Sequence, residues 1–320
     1  MLLYWHCSRD ADLRMAAVVL SIIIPTYSRA KILKKCLNAL LGQTINPSAY
    51  EVIVIDDGST DETRTLVELL AIRVIGSIRY FRQAHRGPAA ARNIGVRNAK
   101  GSLVLFLGDD IVASPTLLEE HIRWHKKHPE NNVAVLGYVT WSPEIEVTPF
   151  MRWLEEGGTQ FRYREIAGRK EVPWEFFYTS NISLKRDFLL ENGLFDEDFP
   201  YAAHEDVELA YRLRGRRLRI LYNPRAIGYH HHPTTFEDAC RRMVQVGESA
   251  VILCRKHPEL ATKFRAPRMD PQARAKQWLR TLLYPIAKHF GVNNRIVHGF
   301  YYHKMMEMYA RGYQRAMGRH

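Results

Sequence analysis

The chain has 320 residues, 46% of them hydrophobic and 11% aromatic, enough apolar material for a substantial core, and this excludes an intrinsically disordered protein. A formal net charge of +12 favours an anionic partner, whether nucleic acid, acidic lipid or a phosphorylated substrate, without choosing among them. Cys7, Cys36, Cys240 and Cys254 form no C-x-x-C pair, which disfavours a structural zinc site or disulfide framework and points to a reducing, cytoplasmic compartment.

Residues 1–17 are expected to form a disordered leader, or in part to lie upstream of a start at Met15. The apolar run Ala16–Pro25 is too short to span a bilayer, and no small-residue cleavage site follows it. Within that run, Val18–Ile24 is β-branched and uninterrupted, the pattern of a strand buried on both faces and stopped by Pro25. Ile32, Leu33, Cys36, Leu37, Leu40 and Leu41 then recur at helical spacing.

A second strand, Glu51–Ile55, ends at Asp56-Asp57-Gly58, and Ser59-Thr60-Asp61-Glu62 fits a capping box. A helix is predicted over about 88–99, followed by the strand Leu103–Leu107, which runs into Gly108-Asp109-Asp110. Strands alternating with helices predict an α/β domain over residues 18–255. Its sheet is expected to be mixed but mostly parallel, with ligands beyond the carboxyl ends of the strands.

Trp141–Pro173 reads as a long irregular excursion, Asn181–Leu184 as a strand, and Asp206–Arg214 as a helix with a Glu208–Arg212 pair at spacing four. Beyond Pro233 the chain is predicted to be helical. A basic, Pro-punctuated break near Lys256–Pro271 opens an expected helical extension over residues 256–320.

Three acidic sites punctuate these elements: Asp56-Asp57, Asp109-Asp110 and Glu205-Asp206. Each alone reads equally as a solvated turn or a helix cap. Carboxylates gathered in one crevice repel each other, however, and a divalent Mn²⁺ or Mg²⁺ shared with phosphate oxygens relieves that repulsion. The run Tyr229-His230-His231-His232-Pro233 offers either an imidazole ligand or a plain surface cluster.

The ordered set "SIIIPTYSR", "VIVIDDGSTDET", "GPAAARNIGVRNAKGSLVLFLGDD", "TSNISLKRDFLLENGLFDEDF", "HEDVELAYRL" and "YHHHP" resembles family 2 glycosyltransferases over about Ser21–Pro233. The resemblance implies the type A glycosyltransferase fold, here a single nucleotide-binding, Rossmann-like domain with a mostly parallel mixed sheet, a nucleotide-diphosphate sugar donor, with a UDP-sugar favoured, and inversion at the sugar carbon. It implies that Pro25, Thr26 and Tyr27 line the base and ribose, that Asp57 contacts the base, and that Arg86 and Arg92 lie beside the nucleotide. For Arg92 a helix-surface charge is the alternative. Gly108 replaces the first aspartate of the family's Asp-x-Asp, leaving Asp110 as metal ligand, with His230 favoured as a second, and Asp109 for the ribose. By the same resemblance Glu205-Asp206 is the catalytic pair with Asp206 as general base. Trp174, Ser180 and Asn181 shape the sugar and acceptor pocket, with core packing the alternative for Trp174.

The acceptor implied is a hydroxyl of a glycan or lipid-linked molecule. The tail from Trp278 onward combines Leu, Tyr, Phe and Met with Lys and Arg. It reads either as lying on an anionic membrane surface, peripheral at the inner face, or as packing on the catalytic domain or on a second subunit in a homodimer. No nucleic-acid recognition module is present, and no nucleic-acid partner is expected. A retaining enzyme on the same fold and a non-catalytic nucleotide-sugar or glycan-binding protein stay open, whereas a pyrophosphorylase lacks its Gly-rich phosphate loop.

Overall fold

The computed structural model describes residues 18–73, 77–156, 161–266, 279–285 and 294–318. The expected leader and Trp278 lie outside the described residues.

A nine-stranded sheet organises the molecule. Its first half is parallel: β1 (Leu20–Thr26) lies between β2 (Tyr50–Asp56) and β4 (Leu103–Leu107), and β3 (Ile78–Arg82) flanks β2. Every residue of β2 and β4 is buried, as expected of continuous apolar runs covered on both faces. β1 runs on through Pro25, one position beyond the predicted stop. Its pairing with β4 ends at Ile23–Phe106, so on that side Pro25 has no ladder bond to forfeit.

The second half is mixed and was less visible in the sequence. β8 (Asn181–Lys185) is antiparallel to both β4 and β6 (Val133–Trp141). β6 runs parallel to β9 (Arg219–His230), with a register shift between Gly137 and Tyr138. The short β5 (Ile111–Ala113) and β7 (Glu171–Val172) both pair antiparallel with β9.

Helices α1 (Ala30–Leu41), α2 (Thr63–Arg73), α3 (Pro88–Asn98) and α4 (Leu117–Lys127) connect the strands and pack on them. The predicted capping box at Ser59 does not form. The helix starts at Thr63, whose N–H donates to Asp61 Oδ1 at 3.1 Å, while the Ser59 hydroxyl accepts from the Ser28 N–H at 2.8 Å. Asp61 wins because it sits nearer the orphaned donors of the first turn.

Further along the chain come α5 (Pro149–Glu156), α6 (Arg186–Asn192), α7 (Glu205–Arg214) and the long α8 (Phe236–Lys256). The predicted Glu208–Arg212 pair forms at 2.7 Å. The C-terminal helix, Asn294–Met317, buries Tyr301, Met305 and Tyr309 in a cluster shared with Trp153 of α5 and Met243 of α8. Gly247 and Gly312 meet at this crossing, where a Cβ on either would overlap a backbone carbonyl oxygen of the other helix. Those three residues of the tail therefore pack on α5 and α8, while Leu279, Leu282, Tyr302 and Met317 stay exposed. Among the described residues no helix is long and apolar enough to cross a bilayer.

Candidate active site

The two carboxylates of Gly108-Asp109-Asp110 occupy the tight turn from β4 to β5, closed by the Ile111 N–H on the Gly108 carbonyl at 3.1 Å. Neighbouring strands fix the turn. Gly108 N–H donates to the Ser180 carbonyl at 3.3 Å, and the Asp110 carbonyl accepts from the His231 N–H at 2.8 Å. A Cβ at 108 would come within 2.9 Å of an Asp110 carboxylate oxygen and 3.1 Å of Ile111, both side-chain contacts that a small turn of the neighbour relieves.

Arg29, which the sequence reading did not single out, bridges the pair. Its Nη1 donates to Asp109 Oδ1 at 2.7 Å and its Nη2 to Asp110 Oδ2 at 2.8 Å. The Thr26 hydroxyl donates to the other Asp109 oxygen at 2.8 Å, so Thr26 serves Asp109 in this arrangement. Burial and the neighbouring Asp110 charge push Asp109 up to about 7 against Arg29 and Thr26. Burial would raise Asp110 too, but His230 and Arg29 outweigh it and hold that carboxyl well below the usual range. The pair therefore divides as two close carboxylates must, with Asp110 the more firmly ionised.

His230 ends β9 opposite Ile111, and its Nε2 lies 3.2 Å from Asp110 Oδ2. His232 Nδ1 is 2.9 Å from Arg29 Nη2, whereas His231 turns to Ser142 at 3.1 Å. Among the described residues no three His, Cys, Asp or Glu side chains form a cation cage. Asp110 and His230 nonetheless fit an ion whose other positions are filled by diphosphate oxygens and water. A carboxylate and the His230 Nε2 converge, and a guanidinium already marks the spot as favourable for positive charge.

At the far end of β1 the exposed Tyr27 ring stacks on His85, with centroids 4.1 Å apart, next to the half-buried Pro25. Asp57, expected beside the base, accepts three hydrogen bonds from the loop that follows β3. Oδ1 accepts from Gln83 Nε2 at 2.6 Å and the Arg86 N–H at 2.8 Å, and Oδ2 from the Gly87 N–H at 3.0 Å. It shapes the 83–87 loop that carries His85. The Arg86 guanidinium reaches outward to Glu197 at 2.7 Å.

The second acidic site opens α7, where His204 adopts left-handed backbone at φ 66°. Glu205 is tied to Arg92 of α3 at 2.8 Å, with both side chains almost fully enclosed, which corrects the surface-charge alternative for Arg92 and turns its guanidinium toward Glu205. Asp206 is half-buried, and among the described residues its one hydrogen bond is from the Val207 N–H at 2.8 Å. Burial first, then the Glu205 charge, push Asp206 up to about 7, while Arg92 opposes the rise. A carboxylate with its other oxygen free and an affinity for protons near neutrality suits a general base, whereas Glu205 is fastened to the Arg92 guanidinium.

Phe161 packs between His230 and Tyr178. Its ring lies 5.8 Å from His230 and 6.0 Å from Tyr178, and the Tyr178 phenol, raised chiefly by burial, also feels the Asp206 charge.

Two pocket expectations need correction. Trp174 packs edge-on to Tyr211 of α7 at 5.2 Å and beneath the Lys263 ammonium at 5.4 Å, which is the packing alternative. Asn181 is wholly enclosed in the sheet, donating to the Ala226 carbonyl at 2.9 Å and the Tyr138 carbonyl at 3.2 Å, with His121 Nε2 2.9 Å from its Oδ1. Strand alternation turns it into the core to satisfy the carbonyls freed at the β6–β9 register shift. Ser180, one position earlier, stays beside Gly108 with its buried hydroxyl unpartnered. Asn181→Ala is expected to destabilise the fold by about 1–3 kcal/mol for each polar group it orphans, read from urea unfolding, with nucleotide affinity per folded molecule unchanged.

Residues 21–192 match the model of Glycosyl transferase family 2. The chain is 30% identical over 273 residues to validoxylamine A glucosyltransferase of Streptomyces hygroscopicus subsp. limoneus, covering 76% of this chain and 57% of that protein. It is 29% identical over 269 residues to chondroitin synthase of Escherichia coli, covering 75% and 38% respectively. It thus spans little more than half, or less, of these relatives' lengths. Its fold is shared with mannosyltransferase PcManGT of Pyrobaculum calidifontis, solved with GDP-Man and Mn²⁺, at a TM-score of 0.64 and 16% identity over 95% of this chain and 90% of that one. TarS of S. aureus, residues 1–349, solved with UDP, aligns at 0.54 and 17% identity over 95% and 92%. With more than half its residues inside the family match and its mixed sheet in the type A glycosyltransferase arrangement, the chain belongs to glycosyl transferase family 2.

Proposed function

We propose that this chain is an inverting glycosyltransferase. It moves a sugar from a nucleotide-diphosphate donor, with UDP favoured, to a hydroxyl of a glycan or lipid-linked acceptor. The observation that carries this reading is the presence of two unlike acidic sites, one at the β4–β5 turn and one opening α7. Asp206 is poised to accept a proton near pH 7, and Asp110 with His230 is poised for positive charge.

The chemistry follows from those two ends. A sugar hydroxyl is a weak nucleophile at neutral pH, and Asp206 takes its proton as the oxygen attacks the donor's C1 from the side opposite the diphosphate. That geometry inverts the anomeric centre. Asp110 and His230 would hold Mn²⁺ or Mg²⁺, which when bound supplies electrostatic stabilisation to the departing diphosphate. Asp109, fixed by Thr26, faces the ribose. Tyr27 offers an aromatic face to the base, and Asp57 shapes the loop beneath it.

Thermal unfolding with a panel of nucleotide sugars, each with and without Mn²⁺, tests the donor end, because a ligand of the native state raises apparent stability. The wild type is expected to gain several degrees only with donor and Mn²⁺ together, and Asp110→Ala to lose most of that gain. A shift that is independent of metal and intact in Asp110→Ala would remove the metal assignment. Donor binding with no transfer to any acceptor would favour the non-catalytic reading.

A further inference from the structure

Arg29 is placed by the backbone with some care. It immediately precedes α1, after Ser28, which holds left-handed backbone at φ 50°, an unusual state for a residue with a side chain. The turn after β2 clamps this conformation. Ser28 N–H donates to the Ser59 hydroxyl at 2.8 Å, Thr60 N–H to the Ser28 hydroxyl at 3.2 Å, and Ala30 N–H to Asp61 at 2.9 Å. The result directs the guanidinium at Asp109, Asp110 and His232 together, with contacts of 2.7, 2.8 and 2.9 Å. Strain held by a ring of hydrogen bonds needs a reason, and the placing of this cation supplies one.

The Arg29 side chain is 32% exposed whereas those of Asp109 and Asp110 are 8% and 16% exposed. The carboxylates are fixed and the arginine has an open side toward which it can move. Asp110 Oδ2 is the atom that Arg29 and His230 share, so a divalent ion taking it would lie within a few ångströms of the guanidinium and be repelled by its charge. Displaced from Asp110, a planar guanidinium with several donors is well matched to diphosphate oxygens, which it can grip two at a time.

We propose that Arg29 is a built-in counter-ion that occupies the acidic pair in the free protein, competes with a divalent cation for Asp110, and moves onto the nucleotide's diphosphate when cation and nucleotide arrive together. Bare cation then binds weakly and the nucleoside diphosphate strengthens it, because the phosphate gives the displaced arginine a new partner. The coupling is reciprocal, as any linkage between two ligands is. This inference rests on the metal assignment at Asp110 and His230 made above.

Mn²⁺ binding followed by the EPR signal of the free aquo ion, with and without UDP, separates the two claims. Arg29→Ala, and the shape-retaining Arg29→Gln, are expected to bind Mn²⁺ alone on the order of tenfold or more tightly than the wild type, because a unit charge close to the ligand is removed. The enhancement by UDP is expected to shrink in both, and Arg29→Lys is expected to keep the wild-type pattern in weaker form. Asp110→Ala is expected to lose the site. If Arg29→Ala and Arg29→Gln match the wild type while Asp110→Ala loses binding, the counter-ion role is wrong and the metal assignment stands. If Asp110→Ala binds as the wild type does, the metal assignment falls and this inference with it.

Discussion

Asp206→Asn is expected to lower kcat for sugar transfer by about 10²–10⁴-fold with donor binding retained, since the amide keeps the shape of the side chain and cannot take the acceptor's proton. The pH profile gives the sharper test. Asp206 is pushed up to about 7 by burial and by Glu205, so wild-type kcat/KM should fall about tenfold per pH unit below that point as the base becomes protonated. The variant's residual rate should lack that limb. Donor affinity measured by calorimetry, unchanged within a factor of about three, would place the loss in the chemical step.

Stability should move the other way. A carboxyl whose folded pKa is raised above its unfolded value of about 3.9 contributes stability at low pH that is lost as pH rises through the folded pKa. For Asp206 that window runs from about 4 to about 7. At pH 8 the wild type therefore carries an ionised, half-buried carboxylate beside Glu205, and Asp206→Asn removes it. A higher melting temperature together with a collapsed rate is the expected signature of a residue kept for catalysis at some cost in stability. A variant that is both slow and less stable would assign Asp206 to the framework.

How much of this could be read from the sequence depended on how local each signal was. β1, β2 and β4 were legible because strands buried on both faces must be continuously apolar, and their polar ends announced the crevice. Asp109 and Asp110 stood out as carboxylates at such an end, and Asp206 as one opening a helix. β9 escaped notice because Asn223-Pro224-Arg225 in its middle reads as a turn, and it is there that the β6–β9 register shifts. Missing β9 meant that His230 could be placed only by resemblance, although β9 delivers it to Asp110. Arg29 left no local trace because its partners are 80 and 81 residues away. Asn181 was misplaced by a single step of strand alternation, which keeps Ser180 at the motif and turns its neighbour into the core.

The largest effect on stability is expected from Arg92→Leu. Arg92 and Glu205 are the pair that joins α3 to α7, with side chains 8% and 2% exposed. Removing one member of an enclosed ion pair leaves the other charged and unsolvated, a loss of about 3–5 kcal/mol. The pair is not ideally satisfied even when intact, because Arg92 Nε and Glu205 Oε2 have no hydrogen-bond partner. Replacing both by apolar residues should therefore recover much of the loss, and urea unfolding of Arg92→Leu, Glu205→Leu and the double variant measures the coupling. The pair also tunes the base. Arg92 is one of the charges that hold Asp206 down and Glu205 one that lifts it, so Arg92→Leu should move the acid limb of kcat/KM to higher pH and Glu205→Gln to lower pH. A stability loss with no movement of that limb in either variant would show that the pair only fastens the helices. Opposite movements would show that it sets the pH at which Asp206 works, and that the cost of enclosing an ion pair here is borne for that purpose.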